Sequence, residues 1–274
     1  MVLLHVSDPH FGTERTEVCQ ALVRLAHQQV PDVVVLSGDI TQRAWRRQYA
    51  AAGRLMAQLP GHHVVVPGNH DLPLFHLWQR WRRPYANFAQ VFGPQREPIH
   101  DSANWLVVGV DSTRPWRHKH GQLDDNQVGR VATRLAQADV GQLRVVVAHH
   151  PLRASTPADH HNLVRGHAQA AAAWSQAGAD LVLGGHVHLP YILPLGQPAP
   201  PSQGGGWVVQ AGTAVSQRVR GRVPNSVNLI RWAGGNATQC QVERWDHQAK
   251  SGEFLPVAHQ VLSCNPAGRV LPRS

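Results

Sequence analysis

Short, nearly unbroken runs of β-branched and aliphatic residues recur along this chain, at residues 2–6, 33–36, 64–66, 106–110, 145–148 and 181–183. None alternates polar with apolar residues, so each reads as a strand buried on both faces. Between them, apolar residues step at helical intervals. Val18, Leu22 and Leu25 form one such series, Trp45, Tyr49, Ala52, Met56 and Leu59 a second, and Val128, Val131 and Leu135 a third. Thr16 and Thr41 are placed to cap the first two helices. Strand–helix–strand repetition restricts the chain to an α/β architecture.

Past His188 the pattern changes. Residues 189–206 are rich in Pro and Gly and read as one long loop, whereas 207–211, 227–232 and 240–245 read as strands joined by turns. This half is expected to form a second, more antiparallel sheet layer. The expectation is one domain over residues 1–274, its tail from about Lys250 being an edge strand and a frayed end.

Composition excludes several classes. With 274 residues, 42% hydrophobic and 16% charged, the chain is no disordered polyelectrolyte and needs no covalent staple to build a core. No apolar run reaches the roughly 18 residues of a membrane span, and the opening MVLLHVSDPH is too short for a signal segment, so a cytoplasmic protein is expected. Three cysteines without a C-x-x-C pair suggest neither a disulfide framework nor a zinc ribbon. The formal charge of +9 is almost entirely arginine. Clusters at 43–47 (RAWRR), 80–83 (RWRR) and 218–222 (RVRGR) could meet nucleic acid, but solvated faces with buried tryptophans are the reading preferred here.

The chemistry lies where the strands end. The first closes in Ser7-Asp8-Pro9-His10, the second in Ser37-Gly38-Asp39 and the third in Pro67-Gly68-Asn69-His70-Asp71. Two later strands close in His149-His150-Pro151 and Gly184-Gly185-His186-Val187-His188. Ligands bind outside the carboxyl ends of strands in α/β sheets, so these segments converge on one rim. Asp, Asn and His without a thiolate suit Mn²⁺, Fe²⁺ or Zn²⁺ in an open site. The ligand-type residues are too many for one ion and suit a pair with one carboxylate shared. Each motif alone is weak; their order, each after a strand, is hard to obtain by accident.

The set Asp8-x-His10, Gly38-Asp39, Gly68-Asn69-His70-Asp71, His149-His150-Pro151 and Gly185-His186-x-His188 resembles the calcineurin-like metallophosphoesterase superfamily. Within it the chain looks most like the class III cyclic-nucleotide phosphodiesterases. The resemblance implies a two-sheet β-sandwich flanked by helices, an αββα fold. It implies two divalent metals, Mn²⁺ or Fe²⁺ first and Zn²⁺ next. Asp8, His10, Asp39 and His188 would hold one; Asn69, His149 and His186 would hold the other, with Asp39 bridging and His149 preferred to His150. His70 would be proton donor or transition-state stabiliser, and Asp71 the carboxylate that orients it. The absence of Tyr after Asp39, where Ile40 stands, disfavours the purple acid phosphatases.

The implied reaction is phosphodiester hydrolysis, hydroxide held between the metals attacking phosphorus, on a small phosphoester such as 3′,5′-cyclic AMP. A nuclease or a lipid-precursor pyrophosphatase uses the same chemistry, although the stretch after His188 leaves little room for a nucleic-acid-binding domain. A non-catalytic binding scaffold predicts eroded ligands, and every motif position here is competent. His118 and His120, beside Arg114 and Arg117, and Arg153 are the remaining candidates for the site mouth. No pattern distinguishes monomer from oligomer.

Overall fold

A computed structural model describes residues 1–196 and 205–266. Among these residues twelve strands form two six-stranded sheets. In the first, β1 (Val2–Val6), β2 (Val33–Ser37) and β3 (His62–Val66) run parallel, and β10 (Ser226–Arg231), β11 (Gln239–Gln248) and β12 (Glu253–Ser263) extend it antiparallel, giving the order β12-β11-β10-β1-β2-β3. The second has the order β4-β5-β6-β7-β9-β8. Its β5 (Trp105–Val110), β6 (Leu143–Ala148), β7 (Leu181–Gly184) and β9 (Trp207–Gln210) are parallel. Short antiparallel strands β4 (Ile99–Asp101) and β8 (Tyr191–Pro194) edge it.

Alternate residues of the unbroken runs serve different layers. Leu3, Val33, Val35 and Val64 face Val107, Val145, Leu181 and Leu183 across the sandwich. Their neighbours Leu4, Val34 and Leu36 pack outward on α1 (Thr16–Gln29) and α2 (Arg46–Met56) through Leu22, Leu25, Tyr49 and Ala52. Leu106, Val146 and Val182 pack outward on α5 (Asp125–Ala136) and α6 (His167–Gln176) through Val131, Leu135 and Trp174. Four layers, helix–sheet–sheet–helix, explain why none of the six apolar runs alternates.

Several expectations need correction. The antiparallel strands are no separate layer: β10 pairs with β1, so the first and last parts of the chain share one sheet. Within 189–206, β8 lies where a single loop was expected, and 197–204 fall outside the described residues. The tail does form an edge strand, β12, while the expected frayed end from 267 lies outside the described residues. Neither threonine caps a helix. Thr16 begins α1 itself, after Arg15. Thr41 lies upstream of α2, where its hydroxyl donates to Asp71 and accepts from the Ala44 N–H; Gln48 Oε1 takes the Arg43 N–H instead. The tryptophans of the first two basic clusters, Trp45 and Trp81, are not buried but exposed, as is Trp78. The helix carrying the last two, α3 (Leu77–Arg82), buries no residue and is anchored by Arg80, whose guanidinium donates to the carbonyls of Pro73, Pro115 and Arg117. A further short helix, α4 (Ala86–Phe92), packs Phe88 against Tyr49.

Candidate metal centre

Five strands deliver polar residues to one edge. Asp8 and His10 follow β1, Asp39 follows β2, Asn69–Asp71 form a 3-10 turn after β3, His149 and His150 follow β6, and His186 and His188 follow β7. The parallel β1–β2 ladder continues past both strand ends, Asp8 N–H donating to Gly38 O (3.1 Å) and His10 N–H to Asp39 O (3.0 Å). Asp8, His10, Asp39, His186 and His188 all have positive φ, between 42° and 71°. For side-chain-bearing residues the left-handed region costs about 1 kcal/mol or more, and such outliers gather at functional sites. Two glycines allow the loops to touch. A Cβ on Gly68 would lie 2.1 Å from Asp39 N, and one on Gly185 would lie 2.1 Å from Asp8 Oδ2.

The donor atoms form two groups that meet at Asp39. Ligand atoms of Asp8, His10, Asp39 and His188 all lie within 4.8 Å of one another. His188 Nε2 is 3.1 Å from Asp8 Oδ1 and 3.0 Å from His10 Nε2; His10 Nε2 is 3.6 Å from Asp39 Oδ2. Asp39 Oδ1 turns the other way, 3.2 Å from His149 Nε2. Beside that nitrogen sits Asn69 Oδ1, 3.3 Å from it and 3.0 Å from His186 Nδ1. His149 Nδ1 donates to Ser37 O and His188 Nδ1 to Arg218 O, so both present their Nε2 lone pairs inward. His150 also lies within 4.8 Å of His149 and His186, but its nitrogens are engaged by Ser112 Oγ (2.8 Å) and Lys119 O (3.0 Å). Geometry therefore favours His149.

Protonation follows from these contacts. Burial opposes ionisation of Asp39, yet His149, His70 and His10 hold its carboxyl well below the usual range. Burial likewise works against Asp8, which His188 and His149 hold down. In return His149, despite its burial, is lifted by Asp39 and Asp8 to about 9, and His188 is raised by Asp8. Burial drives His10 and His186 well below the ordinary value. The carboxylates of Asp8 and Asp39 thus draw protons onto His149 and His188, and a divalent pair held by these residues would take the place of those protons. The donor set fits two borderline cations, with Asp39 able to reach both.

Around this edge lie His70, Asp71 and Arg218. His70 Nδ1 donates to Gln42 O (3.1 Å), and its Nε2 lies 3.2 Å from Arg218 Nη1. Asp71 was expected to orient His70; its carboxylate instead accepts from the N–H groups of Gly68, Ile40 and Thr41 and from Thr41 Oγ1. It ties the β2 and β3 loops together, and the Gln42 carbonyl orients the imidazole. Burial and Asp39 push Asp71 up to about 7, against its backbone donors. Sequence reasoning missed Arg218 as a site residue. Its Nη1 also reaches Gln42 Oε1 (3.1 Å) and lies 3.4 Å from His10 Nδ1. His118 joins His70, Gln42, Arg43, Leu74 and Arg80 in a crevice beside the centre.

The family model for calcineurin-like phosphoesterases matches residues 1–190. The chain belongs to that family. Glycerophosphodiester phosphodiesterase GpdQ of Enterobacter lignolyticus is 29% identical over 56% of this chain and 58% of that protein. A probable cyclic nucleotide phosphodiesterase of Synechococcus is 26% identical over 60% of this chain and 61% of the relative. The 3′,5′-cyclic adenosine monophosphate phosphodiesterase CpdA of Escherichia coli is 24% identical over 70% of this chain and 67% of its own length. The chain thus spans only 58% and 61% of the first two relatives. Among solved structures, a dimetal phosphatase from Danio rerio shares the fold at TM-score 0.64 and 13% identity, covering 96% of this chain and 99% of that one. A purple acid phosphatase from yellow lupin does so at 0.68 and 11%, covering 100% and 56%. Among the described residues no helix is long and apolar enough to cross a membrane.

Proposed function

We propose that this chain hydrolyses small phosphodiesters at a dinuclear metal centre, with 3′,5′-cyclic AMP the favoured substrate. The observation that carries the reading is the position of Asp39 between two donor groups, one carboxylate oxygen turned toward each. Asp8, His10, Asp39 and His188 would hold one cation; Asn69, His149 and His186, with Asp39, the other. When bound, such a pair supplies Lewis acidity toward phosphate oxygens and an activated nucleophile near neutral pH.

The chain's own residues do the rest. Arg218 offers N–H donors beside the donor cluster, suited to a non-bridging phosphate oxygen as charge grows on it. His70, fixed by the Gln42 carbonyl with Nε2 toward the centre, is placed to share a proton with the departing ester oxygen. Asp71 acts as a positioning group, holding the Asp39 and Asn69 loops at their mutual distance. The crevice of Arg43, Leu74, Arg80 and His118 gives the organic part of the ester a surface both cationic and apolar. Ligands come from both sheets, which favours reading the chain as one catalytic unit.

The substrate assignment draws on the relatives named as cyclic-nucleotide phosphodiesterases, while GpdQ makes a glycerophosphodiester the next choice. The test is kcat/KM of Mn²⁺-loaded protein for cyclic AMP and for glycerophosphocholine, beside a chelated control. About 10⁴ M⁻¹s⁻¹ or more on cyclic AMP, abolished by chelation, supports the assignment. Turnover of the glycerophosphodiester alone replaces the substrate, and metal-loaded protein inert toward all diesters overturns the reaction itself.

A further inference from the structure

A second surface stands beside the metal edge. Phe75, Leu77, Trp78, Trp81 and Trp116 are 68–73% exposed, and with Trp45 they include every exposed Phe and Trp among the described residues. They are neighbours. Arg80 ties α3 to the carbonyls of Pro115 and Arg117, which flank Trp116, and Arg43, on the crevice beside His70, lies over Phe75 at 5.4 Å. The cluster is held in place rather than loosely hung, because the Arg80 guanidinium bridges three carbonyls from two segments.

Unpaired charge around it is basic: Glu97, Asp111 and Asp124, which share a cavity with Trp116, are paired with Arg130, Arg96 and Arg114. No Asp or Glu occurs in residues 40–70, 72–96 or 112–123, whereas Arg43, Arg47, Arg82, Arg83, Arg117 and Lys119 do. Exposed contiguous apolar side chains mark an interaction surface. A partner must cover apolar rings and Leu77 while presenting negative charge. A second copy of the chain brings the same positive charge against itself. Nucleobases stack on ring faces, whereas Arg82 takes one face of both Trp78 (5.0 Å) and Trp81 (5.4 Å), and Leu77 has no π face to offer. Tryptophan with arginine over its ring is suited to the headgroup level of a bilayer, where rings and aliphatics sink and guanidinium groups stay with phosphate.

We infer that this aromatic–arginine face docks the protein on an anionic lipid surface, with the metal edge alongside. The inference does not depend on which phosphodiester is cleaved. It is tested by flotation of the full chain with vesicles of phosphatidylcholine alone and of phosphatidylcholine mixed with phosphatidylglycerol, at low and at physiological salt. The wild type is expected to float with the anionic vesicles, less so as salt screens the arginines. The Leu77→Ser/Trp81→Ser variant, its thermal midpoint matched to wild type because neither side chain is buried, is expected to bind about tenfold more weakly or worse. An Arg82→Gln/Arg83→Gln variant is expected to lose about tenfold at low salt and little at high salt. Three results overturn the inference: no flotation with anionic vesicles at low salt; a wild-type dimer that the Leu77→Ser/Trp81→Ser variant breaks; or tight oligo(dT) binding, lost in the same variant, with no flotation.

Discussion

Gly68 is a demanding position in the centre, and replacing it with alanine isolates one physical effect. Its backbone, at φ −108° and ψ 178°, is extended, so alanine meets no conformational penalty there. Space is the obstacle. The added methyl would lie 2.1 Å from Asp39 N, 2.3 Å from Asp39 Oδ1 and 2.8 Å from Asp39 Cα. Unstrained contact needs roughly 3.5 Å, so the two loops must separate by about 1 Å or more. Asp39 cannot yield by rotation alone, because two of the three atoms are backbone. Its Oδ1 accepts the His70 N–H at 2.8 Å and faces His149 Nε2 at 3.2 Å, so the displacement is felt on both sides of the centre. Overpacking of this kind costs about 1–3 kcal/mol of stability, which the fold can survive. A misplacement of about 1 Å at a reacting site costs about 10²-fold in rate. The expected Gly68→Ala protein is therefore folded, short of metal and slowed by about 10² or more on bis(4-nitrophenyl) phosphate with Mn²⁺. Metal stoichiometry after desalting and kcat at saturating Mn²⁺ are the measurements. A variant that retains wild-type metal content and rate refutes the argument that this close approach fixes the bridging carboxylate.

Three other outcomes follow from the geometry. Asp71→Asn leaves two of the buried donors held by its carboxylate without an acceptor, so urea unfolding should show a loss of about 2–5 kcal/mol; a loss below about 1 kcal/mol contradicts its role as the tie between loops. His5 and His150 are driven down to about 3 by burial, so between pH 6.5 and pH 3 the unfolded chain binds more protons than the folded one and stability falls with falling pH. Each contributes a loss of about 2 kcal/mol on going from pH 7 to pH 5 in metal-free protein, and His5→Asn should shrink that pH difference by about this amount; an unchanged difference would show that His5 is protonated in the folded state. Arg218→Ala should lower kcat by about 10²–10³ with metal content intact, because the Arg218 carbonyl that accepts from His188 is backbone and survives the substitution. Wild-type kcat in that variant removes Arg218 from the phosphate site.

Where the sequence was legible, one physical rule made it so. A strand buried on both faces ends abruptly, and the next polar residues must sit on the sheet's carboxyl edge; Asp8, Asp39, Asn69, His149 and His186 are each found that way. The choice between His149 and His150 rested on family resemblance, since adjacent histidines look alike in a string. In space it rests on Ser112 and Lys119, which occupy the His150 nitrogens and come from a loop that carries none of the metal motifs. Arg218 was hidden for a different reason. It follows the last ligand by thirty residues and sits in an irregular stretch; contacts such as its carbonyl bond to His188 carry it back to the centre. The role of Asp71 was hidden as well, because its partners are backbone N–H groups of Gly68, Ile40 and Thr41, and backbone partners leave no signature in residue identity. Strand β4 escaped notice because an edge strand of three residues needs no unbroken apolar run, and β8, though apolar, follows Pro190 and ends in Pro194 and so read as loop.

The donor groups are divided between the sheets in a way that ties function to the core. Asp8, His10, Asp39 and Asn69 follow strands of the first sheet; His149, His186 and His188 follow strands of the second. Packed sheets stand about 10 Å apart, yet here ligand atoms from both lie within 4.8 Å. Closing that distance falls to the loops, and their conformations record it. Asp8, His10, Asp39, His186 and His188 are held in the left-handed region, Gly185 lets its loop approach Asp8 more closely than any side chain permits, and the His186 N–H donates to the Asp8 carboxylate. What keeps such loops from relaxing is the register of the sheets beneath them, set by Leu3, Val33 and Val64 against Val145, Leu181 and Leu183. Interiors this dense transmit displacement instead of absorbing it. The apolar runs that made the fold readable are thus also what holds the candidate ligands within reach of one another.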